Sequence, residues 1–218
     1  MTPDSPVILA LDTTTEFGSV ALRRACETIA ELRLHSPDGF SHSVFQAIED
    51  ILAKAHVRLE EIDCFAAASG PGSFTGVRVG LAAAKGLAEG LGKPAAAISN
   101  LRALSLFGGA ALRAVVLDAR RGEVYGAVYD QSGRAIVPET VAPWALWLDT
   151  VPKDAELIGF VGGPCETAAI AFTAAPHWLA AAVAQCAERD GPAGWRDPGT
   201  LDANYVRRAD ATLSWKEA

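Results

Sequence analysis

The stretch Ser69-Gly70-Pro71-Gly72-Ser73-Phe74-Thr75-Gly76-Val77-Arg78-Val79-Gly80, with the alanine- and glycine-rich segment that follows to Gly92, restricts this chain most. Pro71 holds φ near about −65° and the flanking glycines open backbone angles closed to other residues, so the segment begins as a turn. Ser73 is placed to cap a helix. Val77, Leu81, Ala84, Ala88 and Leu91 then recur at helical spacing, and Gly92 with Pro94 ends the run. Gly76, Gly80, Gly86 and Gly90 all fall inside this helix, each at a cost of about 0.8–1 kcal/mol relative to alanine. That cost calls for compensation through close approach of another backbone along the Gly76, Gly80, Ala84 stripe. Phosphate binding by the turn fits poorly. From Gly70 a Walker-type loop needs glycine where Thr75 stands, and from Gly72 where Val77 stands; the third glycine of a dinucleotide fingerprint comes one place late, at Gly76. Tight packing within one core and helix-to-helix contact with a second chain both remain open.

At 218 residues, 50% hydrophobic and 21% charged, the chain is long enough for a sizeable core and has the balance of a globular protein. A formal charge of −7 argues against a stand-alone nucleic-acid binder, which concentrates basic residues. Cys26, Cys64, Cys165 and Cys186 are far apart, with no C-x-x-C pair, so reduced and packed thiols are expected, with no metal site. Met1 to Pro6 lacks the basic and apolar regions of a signal peptide, and charged or polar residues interrupt the most apolar windows. The expectation is a cytoplasmic protein with no membrane span.

Taken in order, Val7–Leu11 and Ser19–Leu22 read as strands joined by the polar turn Asp12-Thr13-Thr14-Thr15, and Glu27–Leu34 as a third. Ser43 and Gln46 have capping-box spacing ahead of a helix whose apolar stripe runs Val44, Phe45, Ile48, Ile51, Leu52, Ala55. Cys64–Ala68 is a strand, then come the glycine-rich helix, the strand Ala95–Ile98 and a short helix ending at Gly108-Gly109. The second half restarts the pattern: an apolar run Ala114–Leu117 into Asp118, a polar turn, an alternating strand Val124 to Val128, a strand Arg134–Val141, a helix from Pro143, and a strand Leu157–Val161 before Gly162-Gly163. Helices are expected over Glu166–Phe172 and Leu179–Glu188, followed by an extended tail. Strand, Asp, polar turn and strand occurring once in each half suggest a duplicated β-β-β-α-β-α lobe. The expected organisation is an N-terminal lobe with the association helices over 1–108, and a C-terminal lobe with the tail over 109–218.

Several motifs together resemble the bacterial TsaB (YeaZ) family: Leu9 to Thr15, His42-Ser43 opening a helix, Gly70 to Gly80 with Ala84-Lys-Gly-Leu-Ala88, Asp118-Ala-Arg120 with Glu123-Val-Tyr125, and Asn204-Tyr-Val-Arg207. The Gly70 to Ala88 block is the most specific. The resemblance implies an α/β, actin-like and Hsp70-like (ASKHA) fold of two related lobes, with mixed sheets flanked by helices. It also implies a part in making threonylcarbamoyladenosine at tRNA position 37, as a non-catalytic paralogue paired with the carbamoyl-transferring TsaD and joined by the ATPase TsaE. Contact with tRNA is then indirect, through the complex.

Specific residues fit a non-catalytic partner. Asp12 is followed by three threonines rather than the glycine an actin-like ATPase uses to wrap phosphate, and His42 has Gln46 four residues on, where a catalytic relative carries a second metal-binding histidine. Asp12 and Asp118 have two readings, as holders of a water-bridged Mg²⁺ or as turn caps of a vestigial nucleotide cleft. Thr13, Thr14 and Arg120 are that cleft's phosphate-side candidates, and Gly162 with Gly163 sits where a relative accommodates adenine. No catalytic residue, metal or cofactor is expected. The expected partner contacts are Phe45, Ile48, Gly76, Gly80 and Ala84, on two helices that meet the equivalent pair of the paralogue, or of a second copy of this chain when it is alone. Arg207 and Arg208 beside Tyr205 are candidates for touching tRNA or a partner. The competing class is an actin-like ATPase or small-molecule kinase.

Overall fold

The structure, a computed structural model, describes residues 5–206. Two five-stranded mixed sheets carry it. The first contains β1 (Ile8–Asp12), β2 (Phe17–Arg24), β3 (Glu27–His35), β4 (Cys64–Ala68) and β5 (Ala95–Ile98), in the order β3-β2-β1-β4-β5. The second contains β6 (Leu112–Arg120), β7 (Glu123–Asp130), β8 (Ala135–Pro143), β9 (Glu156–Phe160) and β10 (Thr173–Ala175), in the order β10-β9-β6-β7-β8. In each half the first three strands form an antiparallel meander, and the fourth and fifth add in parallel on the other side of the first. The duplication legible in the polar turns is therefore a duplication of whole sheets, and the architecture is the actin-like two-lobed α/β fold.

Strand alternation divides the core into layers. Leu9 and Leu11 face α1 (Val44–Ala55) and α2 (Phe74–Leu91), which cover the outer side of the first sheet. Ile8 and Ala10 face a central layer containing α3 (Asn100–Leu104) and α6 (Ala180–Gly194), and Val115 and Ile158 of the second sheet join the same layer. The outer side of the second sheet closes over Trp147 of α4 (Trp144–Leu148) and Cys165 of α5 (Pro164–Thr167). The sheets lie on either side of Gly108-Gly109, yet α6, from the end of the chain, packs on β1, β2 and β4 of the first.

Three local expectations change. Ser43 precedes α1 without a side-chain cap, and Gln46 donates instead to Asp50 at 3.0 Å, so the capping box does not form. The helix expected over Glu166–Phe172 stops at Thr167, where Ala169 takes φ 54°. Thr173–Ala175 is a parallel edge strand of 3 residues, too short for an alternating pattern to show. No helix among the described residues is long and apolar enough to cross a membrane.

Candidate functional site

Two regions bear on function, and the turn after β1 belongs to both. Asp12, at the end of that strand, is 1% exposed. Its Oδ1 accepts the Thr14 backbone N–H at 3.0 Å and the Thr14 hydroxyl at 2.6 Å. Its Oδ2 is buried and lacks a hydrogen bond of normal geometry. Burial pushes the Asp12 carboxyl above the usual aspartate range, and the Thr14 donors and the Leu179 backbone N–H only partly oppose this. The threonine hydroxyls are equally committed: Thr13 donates to the Gly76 carbonyl at 2.7 Å, and Thr14 accepts from Asn100 Nδ2 at 2.5 Å. Thr13 and Thr14, candidates for the phosphate side of the cleft, thus have their hydroxyls bonded to the chain's own groups.

The matching turn of the second half is open. Asp118 is exposed and accepts the Arg120 backbone N–H at 2.7 Å and the Arg120 guanidinium at 3.3 Å. A cleft of about 740 Å³ lies between the halves; Thr14, Asp118, Arg120, Gly162 and Gly163 line it, whereas Asp12 and Thr13 do not. The two aspartates thus differ in setting, one beneath the cleft and one on its wall. Among the described residues, no group of three or more His, Cys, Asp or Glu side chains is arranged to hold a metal. One ring row was not foreseen: Phe160, His177, Phe17 and His35 follow one another from the second sheet to the first, with centroid separations of 4.6, 4.6 and 4.8 Å, and the first three line the cleft. Burial holds the His177 imidazole below its ordinary range, against the opposing charge of Glu16. Two phenylalanines and two histidines scattered from Phe17 to His177 leave no local pattern to read.

The second region is the outer surface of α1 and α2. Ser73 accepts the Gly76 N–H at 3.3 Å, and Gly92 closes the helix at φ 62°. A Cβ at Gly76 would lie 2.0 Å from the Thr13 carbonyl oxygen, and one at Gly80 would lie 2.6 Å from Thr13 Oγ1. The backbone that approaches these glycines is therefore the chain's own β1–β2 turn. Ala84 is fully buried and Ile48 nearly so. Gly76, Gly80 and Ala84, expected at a partner contact, face inward, because the side of α2 that packs on Thr13 is turned toward the sheet, and Ile48, also expected there, is buried in the same core from α1. Phe45 is 54% exposed. On the opposite side of α2, Ala82, Gly86 and Gly90 are exposed, and a Cβ at either glycine would meet nothing within 4 Å.

At the N-terminal end of α2 the exposed Phe74 carries the Arg78 guanidinium over its ring at 3.5 Å. Arg78 also donates to the Tyr205 hydroxyl at 3.2 Å. Tyr205 belongs to segment 201–206, which lies outside helix and strand and ties the end of the described chain to α2. Arg207 and Arg208 lie outside the described residues.

Comparison with known proteins finds relatives in a tRNA-modification pathway. Residues 36–159 match the family model described as TsaD: tRNA N6-adenosine threonylcarbamoyltransferase. The chain is 32% identical over 160 residues to the tRNA threonylcarbamoyladenosine biosynthesis protein TsaB of Bacillus subtilis, covering 71% of this chain and 70% of that one. It is 38% identical over 133 residues to TsaB of Escherichia coli, covering 59% of this chain and 57%, just over half, of that one. The solved structure of YeaZ from Pseudomonas aeruginosa superposes with a TM-score of 0.74 at 29% identity, covering 92% of this chain and 99% of that one.

Proposed function

This chain belongs to the TsaB (YeaZ) family, and from that membership we propose that it serves threonylcarbamoyladenosine synthesis on tRNA as a non-catalytic subunit. It pairs with a TsaD-like catalytic paralogue, and a TsaE-like ATPase joins the pair in the cytoplasm. The observation that carries this reading is the division of α2 into two faces. One is consumed by the chain's own Asp12–Thr14 turn; the other exposes Ala82, Gly86 and Gly90, with open space where a side chain at either glycine would stand, and Phe45 of α1 is exposed as well. A helix surfaced with small residues allows a second helix to approach at the short end of the usual interaxial range of about 8–10 Å. When the paralogue is absent the same face pairs two copies of this chain, and tRNA is reached through the complex.

The ATPase reading requires Asp12 at the cleft surface, and the burial of its carboxyl under Thr14 speaks against it. Calorimetry with Mg-ATP decides between them. Binding that is lost in Asp118→Ala would revive the enzyme reading, and the absence of heat supports the subunit.

The direct experiment reconstitutes tRNA modification with and without this chain, using the wild type and Gly86→Arg. The arginine adds a side chain to a helix position with open space around it, so the isolated chain folds. It weakens association with the paralogue by about tenfold or more, because a charge must be desolvated at the contact. Full modification without this chain would refute the proposed role, and wild-type affinity for Gly86→Arg would refute the assigned face.

A further inference from the structure

The turn that launches α2 is tied to the second sheet by a continuous run of hydrogen bonds that passes through the segment near the end of the described chain. It begins at Asp12, passes to Thr14, and continues from Thr14 to Asn100. Asn100 Oδ1 accepts the Gly70 N–H at 2.9 Å, and the Asn100 N–H donates to the Gly70 carbonyl at 2.8 Å, so one side chain and one backbone unit clamp the turn from the α3 side. From the other side comes Asn204. Its backbone N–H donates to the Ser69 carbonyl at 2.8 Å, and its Nδ2 lies 3.5 Å from the Gly70 carbonyl and 2.5 Å from Glu139 Oε2. The other Glu139 oxygen accepts the hydroxyl of Tyr129, which is 2% exposed. Glu139 lies on β8 and Tyr129 on β7, both in the second sheet.

We propose that Asn204, held by Glu139 and Tyr129, is a positioning residue that lets the second lobe set the geometry of the α2 launch turn, and through it the helix face offered to a partner. The last clause rests on the pairing reading above; the first does not. Three features make Asn204 the hinge pin of this arrangement rather than a passive neighbour. Its side chain bridges two acceptors, one from each half. Its own carbonyl oxygen would lie 3.3 Å from a Cβ at Gly70, a residue held at φ +104°, so segment and turn are fitted to each other. The same segment is fastened to α2 at two further points, by Lys85 Nζ donating to the Leu201 carbonyl at 2.9 Å and by Arg78 donating to Tyr205. Movement of β8 is therefore passed to α2 by the segment 201–206.

The polarity of the Glu139–Asn204 pair supplies the test. Asn204→Asp sets two carboxylates against each other and breaks the tie. Adding Glu139→Gln restores the tie to β8 in reversed order, since the introduced glutamine amide can donate to the introduced aspartate while its carbonyl still accepts from Tyr129; the donor to the Gly70 carbonyl stays lost, so recovery is partial. Hydrogen exchange of the amides of residues 70–77 is measured in the full chain, with the central amides of β7 as the folding control. The expected result is exchange about tenfold faster in Asn204→Asp, returning to within about threefold of wild type in the double variant. Unchanged exchange in Asn204→Asp, or no recovery in the double variant, overturns the positioning role. Affinity for the TsaD-like paralogue is expected to fall and recover in parallel, and a loosened turn with unchanged affinity overturns the link to pairing. A failed pairing surface would show separately, as wild-type affinity in Gly86→Arg.

Discussion

The two ends of α2 carry the same residue for opposite reasons. At Gly76 and Gly80 the missing side chain is filled by Thr13, so glycine is a condition of folding. At Gly86 and Gly90 nothing occupies the space, so within this chain glycine only costs helix stability. Identical spacing and composition thus conceal one residue pair required by the chain's own core and another that this core does not use.

The comparison can be broken at several points. Gly76→Ala forces a methyl against the Thr13 carbonyl and should lower stability by about 3 kcal/mol, measured by denaturant unfolding. If it is neutral, the first half of α2 is not packed as described. Thr13→Val removes the hydroxyl that donates to the Gly76 carbonyl and should cost about 1–2 kcal/mol; a smaller loss would mean that crowding, not the hydrogen bond, defines the contact.

Asp12, beneath the same turn, adds a pH signature. Its folded-state pKa is raised by burial, so above about pH 4 the unfolded chain releases its proton before the folded one does, and wild-type stability falls with rising pH until the folded-state pKa is passed. Asp12→Asn lacks this loss. The stability difference should therefore move in the variant's favour as pH rises through that window, by at most about 1.4 kcal/mol per pH unit. A flat difference would place the Asp12 carboxyl in a solvated setting. The smallest effect is at the other end of the helix: Gly86→Ala should raise the stability of the isolated chain by about 0.5–1 kcal/mol. Thermal unfolding checks the gain, and a loss would show that Gly86 is already in contact within the chain.

Much of this was legible in the residues. β4 and β5 fall where their apolar runs between turn signals place them, and the Ser73 cap and the Gly92 stop bound α2 as expected. The inward face of α2 was not legible, because Gly76, Gly80 and Ala84 form one small-residue stripe and Ala82, Gly86 and Gly90 another, and periodicity does not say which meets the sheet. Thr13 decides it, from 63 positions away. The Ser43 box failed for a related reason: spacing permits a cap, but Gln46 found a nearer partner in Asp50 one turn on. The hydrogen bonds that join Asn204 to Glu139, like the ring row along the cleft, link residues too distant in the chain for any local pattern to announce them.

The placement of α6 has a consequence for how the molecule is made. Ribosomal synthesis delivers the first sheet early, but the helix that shields its inner face, through Ala180, Val183, Ala184 and Ala187 against Ile8, Ala10, Ala66 and Ala68, is spelled out only after all the strands of the second sheet. Until then a nascent chain carries an assembled sheet with one apolar side bare, the kind of surface that chaperones hold and that aggregates grow on. A fragment ending at Gly108 would keep that side bare for good.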